Sequence, residues 1–596
     1  MPTPDSAALL TGDAHPYPAR VAAPFRRALL VAESRSRSKS RPAKQAKVVF
    51  RQDWNIGKAA AESDAELLKT CFVDNGLSAQ LEDTNNNASI ILGRVGAGKS
   101  ALLAHVSERQ EHVTRIDPSL FSIRYISNSN ALQFVAALGV KLDPVFQALW
   151  KHVLCVEYIK MRFNIRNRSD AASTWAKLTT AITFNEAKRK AYEYFREFGG
   201  IDFWKTTEVR LKEIDQKLES KLTSDLMVDA KVIKAGAQGA KTLSESQRLE
   251  IIDNAKSFIS NIQMASLQSV VEALAEYQSG GSNARYYIII DDLDTDWADT
   301  ELRHRLIRAL IESIRRFRPI RQLKILVAMR TDLLQSVIST TRDSGFQAEK
   351  LEDFFIRISW TDRELKELLD SRINTALKAA YTRSAVNFQD VFPKEVRKQS
   401  TLDYILERTL RRPRDVILFI NETFKVAAGR VEMTPALVQT AYRSYSFGRR
   451  ISLLEEWNDI YPDLDLHLGF LSGLRTRTVI RDILPDRYNN FALKCMAREG
   501  SADPVTIATV AMAARTGHVS NIFDALPSIR LLCECIYNVG AVGFILPPAS
   551  GIRWAGNQMD QFAASSIDLD ATIVIHPMLV EALGINASST QPFQGT

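Results

Sequence analysis

Residues 89–103 read SIILGRVGAGKSALL, an apolar run that breaks into three glycines and then a lysine and a hydroxyl. Each glycine costs ordering entropy, and a plain turn needs only one or two of them. A folding role alone is therefore a poor account of Gly93, Gly96 and Gly98 together. The run before Gly93 is short and rich in β-formers, and the residues after Gly98 favour helix. The expected local order is strand, glycine loop, helix.

Gly93-Arg94-Val95-Gly96-Ala97-Gly98-Lys99-Ser100 satisfies G-x-x-x-x-G-K-[ST] in the context that motif requires. Glycines let successive N–H groups turn inward around a phosphate, and the helix N-terminus adds partial positive charge. Lys99 is expected to neutralise β/γ oxygens and Ser100 to offer its hydroxyl to Mg²⁺, with Ala101 completing a nucleotide-binding set that runs from Gly93. The partner acid belongs at the tip of a neighbouring buried strand. Tyr287-Ile-Ile-Ile-Asp-Asp-Leu-Asp294 supplies one. Two adjacent acids at a strand end repel each other, and a bound cation relieves that cost. Asp291 is accordingly assigned to Mg²⁺ and Asp292 to polarising the attacking water. Asp294 and Asp296 fit an exposed turn as well as a site.

The chain has 596 residues, too many for one hydrophobic core, so several domains are expected. No run of about 18 apolar residues and no signal-type start is present, and cytoplasmic location without membrane contact is the expectation. Five cysteines (Cys71, Cys155, Cys495, Cys533, Cys535) show no metal-type spacing and read as reduced core thiols. The formal charge is +8, and residues 1–51 hold ten Lys/Arg against three acids, so the rest of the chain is nearly neutral. The segment SRSRSKSRP (34–42) reads as an unstructured basic arm, a solvated tail before a nucleic-acid arm.

Strands are predicted at 89–92, 113–116, 285–290, 324–329 and 354–360, separated by helix, which argues for a parallel sheet covered on both faces. Leu211, Ile214, Leu218 and Leu222 form one apolar stripe within a long helical region. Capping boxes are predicted at Thr242/Glu245 and Thr361/Glu364. The last region is expected to hold a helix at 527–537 and strands at 542–546 and 571–575. The organisation that follows is a disordered basic arm (1–48), a first core part (49–149), a helical insertion (150–279), a second core part (280–362), a helical lid (363–445) and a C-terminal domain (446–596).

Three arginines are candidates for the γ-phosphate. Arg330 ends the strand at 324–329 and suits either phosphate sensing or a surface ion pair. Arg414, in Arg411-Arg-Pro-Arg-Asp415, is either a nucleotide-facing lid arginine or part of a structural turn. Arg342 is a candidate for a neighbouring subunit's nucleotide. His576 has no second ligand nearby and reads as structural.

These residues resemble P-loop ATPases of the AAA+, KAP and STAND neighbourhood, and more narrowly a bacterial family with a large helical insertion and a winged-helix-like end. The matching stretches include IGKAAAESDAELL (56–68), ILGRVGAGKSALL, YYIIIDDLDTDW (286–297), KILVAMRTDLL (324–334) and RRPRDVILFINE (411–422). The resemblance implies an α/β P-loop NTPase fold, ATP and Mg²⁺ as cofactors, Lys99, Ser100, Asp291 and Asp292 in their usual roles, and Arg414 on the lid. It also implies a winged-helix-like C-terminal domain and a setting near mobile-element or defence functions. Asp292 stands where many AAA+ enzymes carry glutamate, which suits slow, switch-like turnover.

The leading expectation is a Mg-dependent ATPase acting as a nucleotide-driven switch. It would contact a protein partner through the insertion or the C-terminal domain, and a homo-oligomer is compatible with it. The alternatives are a DNA-binding regulator and a nucleotide-holding scaffold that never turns over. Residues 446–596 carry eleven Lys/Arg and fifteen Asp/Glu, opposite to the basic footprint of nucleic-acid binding.

Overall fold

The computed structural model describes residues 49–58, 63–118, 130–164, 189–190, 216–224, 226–261, 270–275, 284–295, 297, 300–341, 348–381, 385–555 and 564–585. The basic arm, Leu211, Ile214, Asp296 and Arg342 lie outside them.

The apolar runs form the central sheet. Strands β1 (Ile90–Gly93), β2 (His112–Ile116), β3 (Tyr286–Ile290), β4 (Leu323–Arg330) and β5 (Phe355–Arg357) pair in the order β2-β3-β4-β1-β5. Every pairing is parallel, so all carboxyl ends share one edge. Side chains alternate between two cores as the pleat requires. Ile90, Leu92, Ile288, Ile290, Val327 and Met329 face one core, while Ile91, Tyr287, Ile289, Leu326 and Ala328 face the other. Helix Lys99–Glu108 covers the second core with Leu102, Leu103 and Val106.

β5 is shorter than the 354–360 run predicts. Residues Ala348–Phe354 coil into a 3₁₀ helix ahead of it, and Trp360 beyond it turns its indole N–H onto Ala97 O at 2.8 Å.

The boundary expected at 149/150 falls inside helix Asp143–Phe163. That helix belongs to the core, with Trp150, Val153 and Val156 wholly buried and the Trp150 indole donating to Leu306 O at 2.9 Å. Leu218 and Leu222 are buried as their stripe predicts. The cap expected at Thr242/Glu245 sits two residues later, where Gln247 Oε1 accepts from the N–H and the hydroxyl of Ser244. Thr242 instead closes the preceding short helix, its hydroxyl donating to Gly239 O.

The Thr361/Glu364 box is present, with reciprocal bonds of 2.7 and 3.2 Å opening helix Asp362–Tyr381. A short hairpin, β6 (Glu395–Val396) with β7 (Gln399–Ser400), precedes helices Thr401–Glu407, Pro413–Ala427 and Pro435–Trp457. The 445/446 boundary also fails, because Tyr445 and Ser446 are buried within helix Pro435–Trp457. Lid and C-terminal region share one core, from Leu365 through Phe419 and Leu468 to Ile585. The C-terminal part carries helices Leu464–Leu471, Pro485–Met496, Pro504–Thr516 and Leu526–Asn538 against strands β8 (Arg477–Val479), β9 (Val542–Ile545) and β10 (Thr572–Ile575). These strands form a small antiparallel sheet in the order β8-β10-β9. β8 is too short and too exposed to show in a hydrophobic pattern. Among the described residues, no helix is long and apolar enough to cross a membrane.

Candidate functional site

The carboxyl edge of the sheet places the loop after β1 and the acids after β3 on either side of β4. Gly96 and Gly98 take φ of 76° and 98°, the left-handed region that the curl of this loop needs. Gly96 has a second reason to lack a side chain. A Cβ there would lie 2.6 Å from Arg414 Cβ, and the Arg414 N–H donates to Gly96 O at 3.3 Å. The lid helix Pro413–Ala427 thus starts against the loop, with Pro413 at its first position, where a missing N–H costs nothing.

Lys99 folds back on its own loop, donating to Gly93 O at 3.0 Å and Arg94 O at 3.1 Å. Burial lowers its pKa, while Asp294 and Asp291 act the other way. Asp291 Oδ1 accepts from the Asp292 N–H at 2.9 Å, and Asp292 has a φ of 57°, which turns the chain sharply off the strand.

A cleft of about 260 Å³ gathers Val95, Gly96, Gly98, Lys99, Ser100, Ala101, Asp291, Asp292, Asp294 and Arg414. An apolar recess of about 50 Å³ adjoins it, lined by Phe72, Val73, Ile358, Trp360, Leu368 and Pro413 beside Gly98 and Ala101. A larger hollow of about 570 Å³ also touches Ser100, Asp291 and Asp292. Two of its cations are already matched, Lys69 with Glu108 at 3.1 Å and Arg109 with Glu82 at 2.9 Å. The smaller cleft joins the glycine loop, the lysine and the acids.

A hydroxyl and a carboxylate on one cleft suit Mg²⁺, which keeps several waters and takes its other ligands from phosphate oxygens. Ser100 and Asp291 fit that demand. Among the described residues no cluster of three or more His, Cys, Asp or Glu forms a closed metal cage.

Not every expected residue reaches the cleft. Gly93 and Ala97 are buried behind it. The Arg94 side chain turns away, its Nη2 donating to Asn538 O at 2.9 Å and Val539 O at 2.8 Å. Arg330 is absent from the lining as well. Its guanidinium pairs with Asp332 at 2.6 Å and Asp294 at 3.6 Å and donates to Glu456 O at 2.8 Å. Of its two sequence readings, the geometry matches the ion pair. His576 is structural: its Nδ1 accepts from the Met578 N–H at 3.1 Å, and burial lowers its pKa to about 3. All five cysteines are buried and free.

Three charged lining residues escaped the motif reading. Lys58, Asp64 and Arg372 also face the cleft, and Asp64 with Arg372 forms a buried pair at 2.6 Å. Asp64 lies in the 56–68 stretch, whose charges have no motif spacing of their own, so only the resemblance pointed there.

The FunZ-associated C-terminal helical domain matches residues 363–454, which are the lid helices and nearly all of helix Pro435–Trp457. An 80.3 kDa protein of Escherichia coli (strain K12) named for transposon gamma-delta is 18% identical over 553 residues, spanning 90% of this chain and 68% of that protein. Among solved structures, the chain is similar to a Walker-type ATPase of Pyrococcus abyssi, with 12% identity, a TM-score of 0.33, and coverage of 86% of this chain and 97% of that one.

Proposed function

We propose that this protein binds ATP with Mg²⁺ at the cleft after β1 and hydrolyses it slowly, as a switch rather than a motor. The observation that carries the reading is the convergence of Lys99 and Ser100, which open the helix after β1, with Asp291 and Asp292, just beyond β3, on one cleft beside the glycine loop. Phosphoryl transfer asks the protein mainly for positioning and charge neutralisation, and these groups supply both. Ser100 and Asp291 would hold Mg²⁺, whose charge would offset that of the phosphates. Lys99 has only loop carbonyls to exchange for phosphate oxygens. Asp292 orients the water, and Arg414 closes the loop side from the lid. The likeness to the transposon-named protein over 90% of the chain supports a role in mobile-element biology.

The test is phosphate release from MgATP. The unaltered chain should release phosphate, and Asp292→Asn should do so about a hundredfold more slowly. No phosphate release from the unaltered chain would leave a nucleotide-holding scaffold as the reading, and equal release by the two would remove Asp292 from the chemistry.

A further inference from the structure

Arg94 occupies the second position of the phosphate loop, yet its side chain belongs to the C-terminal domain. It is only 8% exposed. The two carbonyls it caps, of Asn538 and Val539, close helix Leu526–Asn538, where orphan acceptors and the negative end of the helix dipole favour a cation. The fit is close on both sides. The Trp457 ring centroid lies 5.9 Å from the guanidinium carbon, and a Cβ on Gly540 (φ 84°) would come within 2.9 Å of Arg94 Nη1. Burial lowers the guanidinium to about 10, and Arg412 adds to that while Glu456 and Asp332 oppose it.

The same residue also holds the phosphate lysine, since Arg94 O accepts from Lys99 Nζ at 3.1 Å. One short segment therefore clasps Lys99 by its carbonyl and the C-terminal helix by its side chain. Phosphate capture draws Lys99 off those carbonyls and turns the loop N–H groups inward. A change in the Arg94 backbone acts against a guanidinium already held by Asn538 O and Val539 O.

We propose that Arg94 is a positioning residue that couples the phosphate loop to the C-terminal domain, its grip on the end of helix Leu526–Asn538 favouring the empty loop and loosening when nucleotide binds. This rests on the nucleotide reading of the cleft. Linkage makes the effect reciprocal: whatever lifts the C-terminal helix off Arg94 raises nucleotide affinity by the same factor that nucleotide loosens the helix.

The experiment is hydrogen exchange of the full chain at residues 538–545, with MgATP titrated to saturation for each variant. In the unaltered chain, MgATP should speed exchange there about fivefold or more. In Arg94→Met the segment should exchange fast without nucleotide and MgATP should add nothing, while the affinity for MgATP rises about fivefold. Arg94→Lys, which keeps a donor and the charge, should restore part of the response. Gly540→Ala, which crowds the guanidinium from the other side, should mimic Arg94→Met. An identical MgATP response in Arg94→Met and the unaltered chain, or binding without any response at 538–545, would overturn the coupling alone. A chain that binds no MgATP would overturn the nucleotide reading, and the coupling with it.

Discussion

Two sets of charges sit on either side of the glycine loop and are treated in opposite ways. On the cleft side, the Lys99 ammonium rests on loop carbonyls and carboxylates line an open space. On the inner side, Arg412 pairs with Asp415 at 2.9 Å and Glu456 at 3.3 Å, and Arg449 pairs with Glu456 at 2.8 Å and Asp415 at 3.7 Å. Burial alone would raise Glu456, but Arg412, Arg449 and Arg94 hold it down to about 2. Asp415 is likewise lowered against its burial, chiefly by Arg412 and Arg449. Charges that find charged partners inside the protein hold the lid and the C-terminal region together.

That contrast can be broken most forcefully from the inner side. Glu456→Ala leaves Arg412 and Arg449 to share the one carboxylate of Asp415 in the interior and should cost about 3–5 kcal/mol in chemical denaturation, without any nucleotide present. The same carboxylate gives a pH test. Its folded pKa of about 2 lies below the unfolded value of 4.5, so its stabilisation is full above about pH 4.5 and is lost as pH falls toward 2. The loss should approach about 3 kcal/mol and be smaller in Glu456→Gln, where Asp415 alone still titrates in the cluster.

From the cleft side, Lys99→Ala should weaken MgATP about a hundredfold in calorimetric titration while leaving the denaturation midpoint nearly in place. Equal stability losses for Lys99→Ala and Glu456→Ala would erase the distinction between the two regions. Gly96→Ala forces a side chain onto Arg414 and a left-handed φ, and should weaken MgATP about tenfold. The smallest effect belongs to Thr361→Ala, which removes the cap of helix Asp362–Tyr381 and should cost about 1 kcal/mol of stability.

The legible part of the site is the part that obeys short-range rules. Lys99 and Ser100 follow from motif spacing, Asp291 and Asp292 from an apolar run that ends in acids, and Arg414 from a proline that starts a helix. All five line the cleft. Arg330 shows the limit of that reasoning. Its place at a strand end was readable, but its partners Asp332, Asp294 and the Glu456 carbonyl come from three different elements. Arg372 and Asp64 were missed for the same reason, since neither has a neighbour in sequence that reveals their pairing. The domain limits at 149/150 and 445/446 failed because helices Asp143–Phe163 and Pro435–Trp457 run through them. A change in pattern along the chain does not reveal which core a helix packs against.

By itself the sequence determined the alternation of buried strands with helices, the glycine loop and the acids that face it, because dihedral preference, periodicity and spacing act over a few residues. Only the tertiary structure decided that Arg94 leaves its own loop for a carbonyl 444 positions away, and that lid and C-terminal region share one core. The reason is that a buried cation is satisfied by whichever acceptors packing brings within 3 Å, and packing is a property of the whole chain.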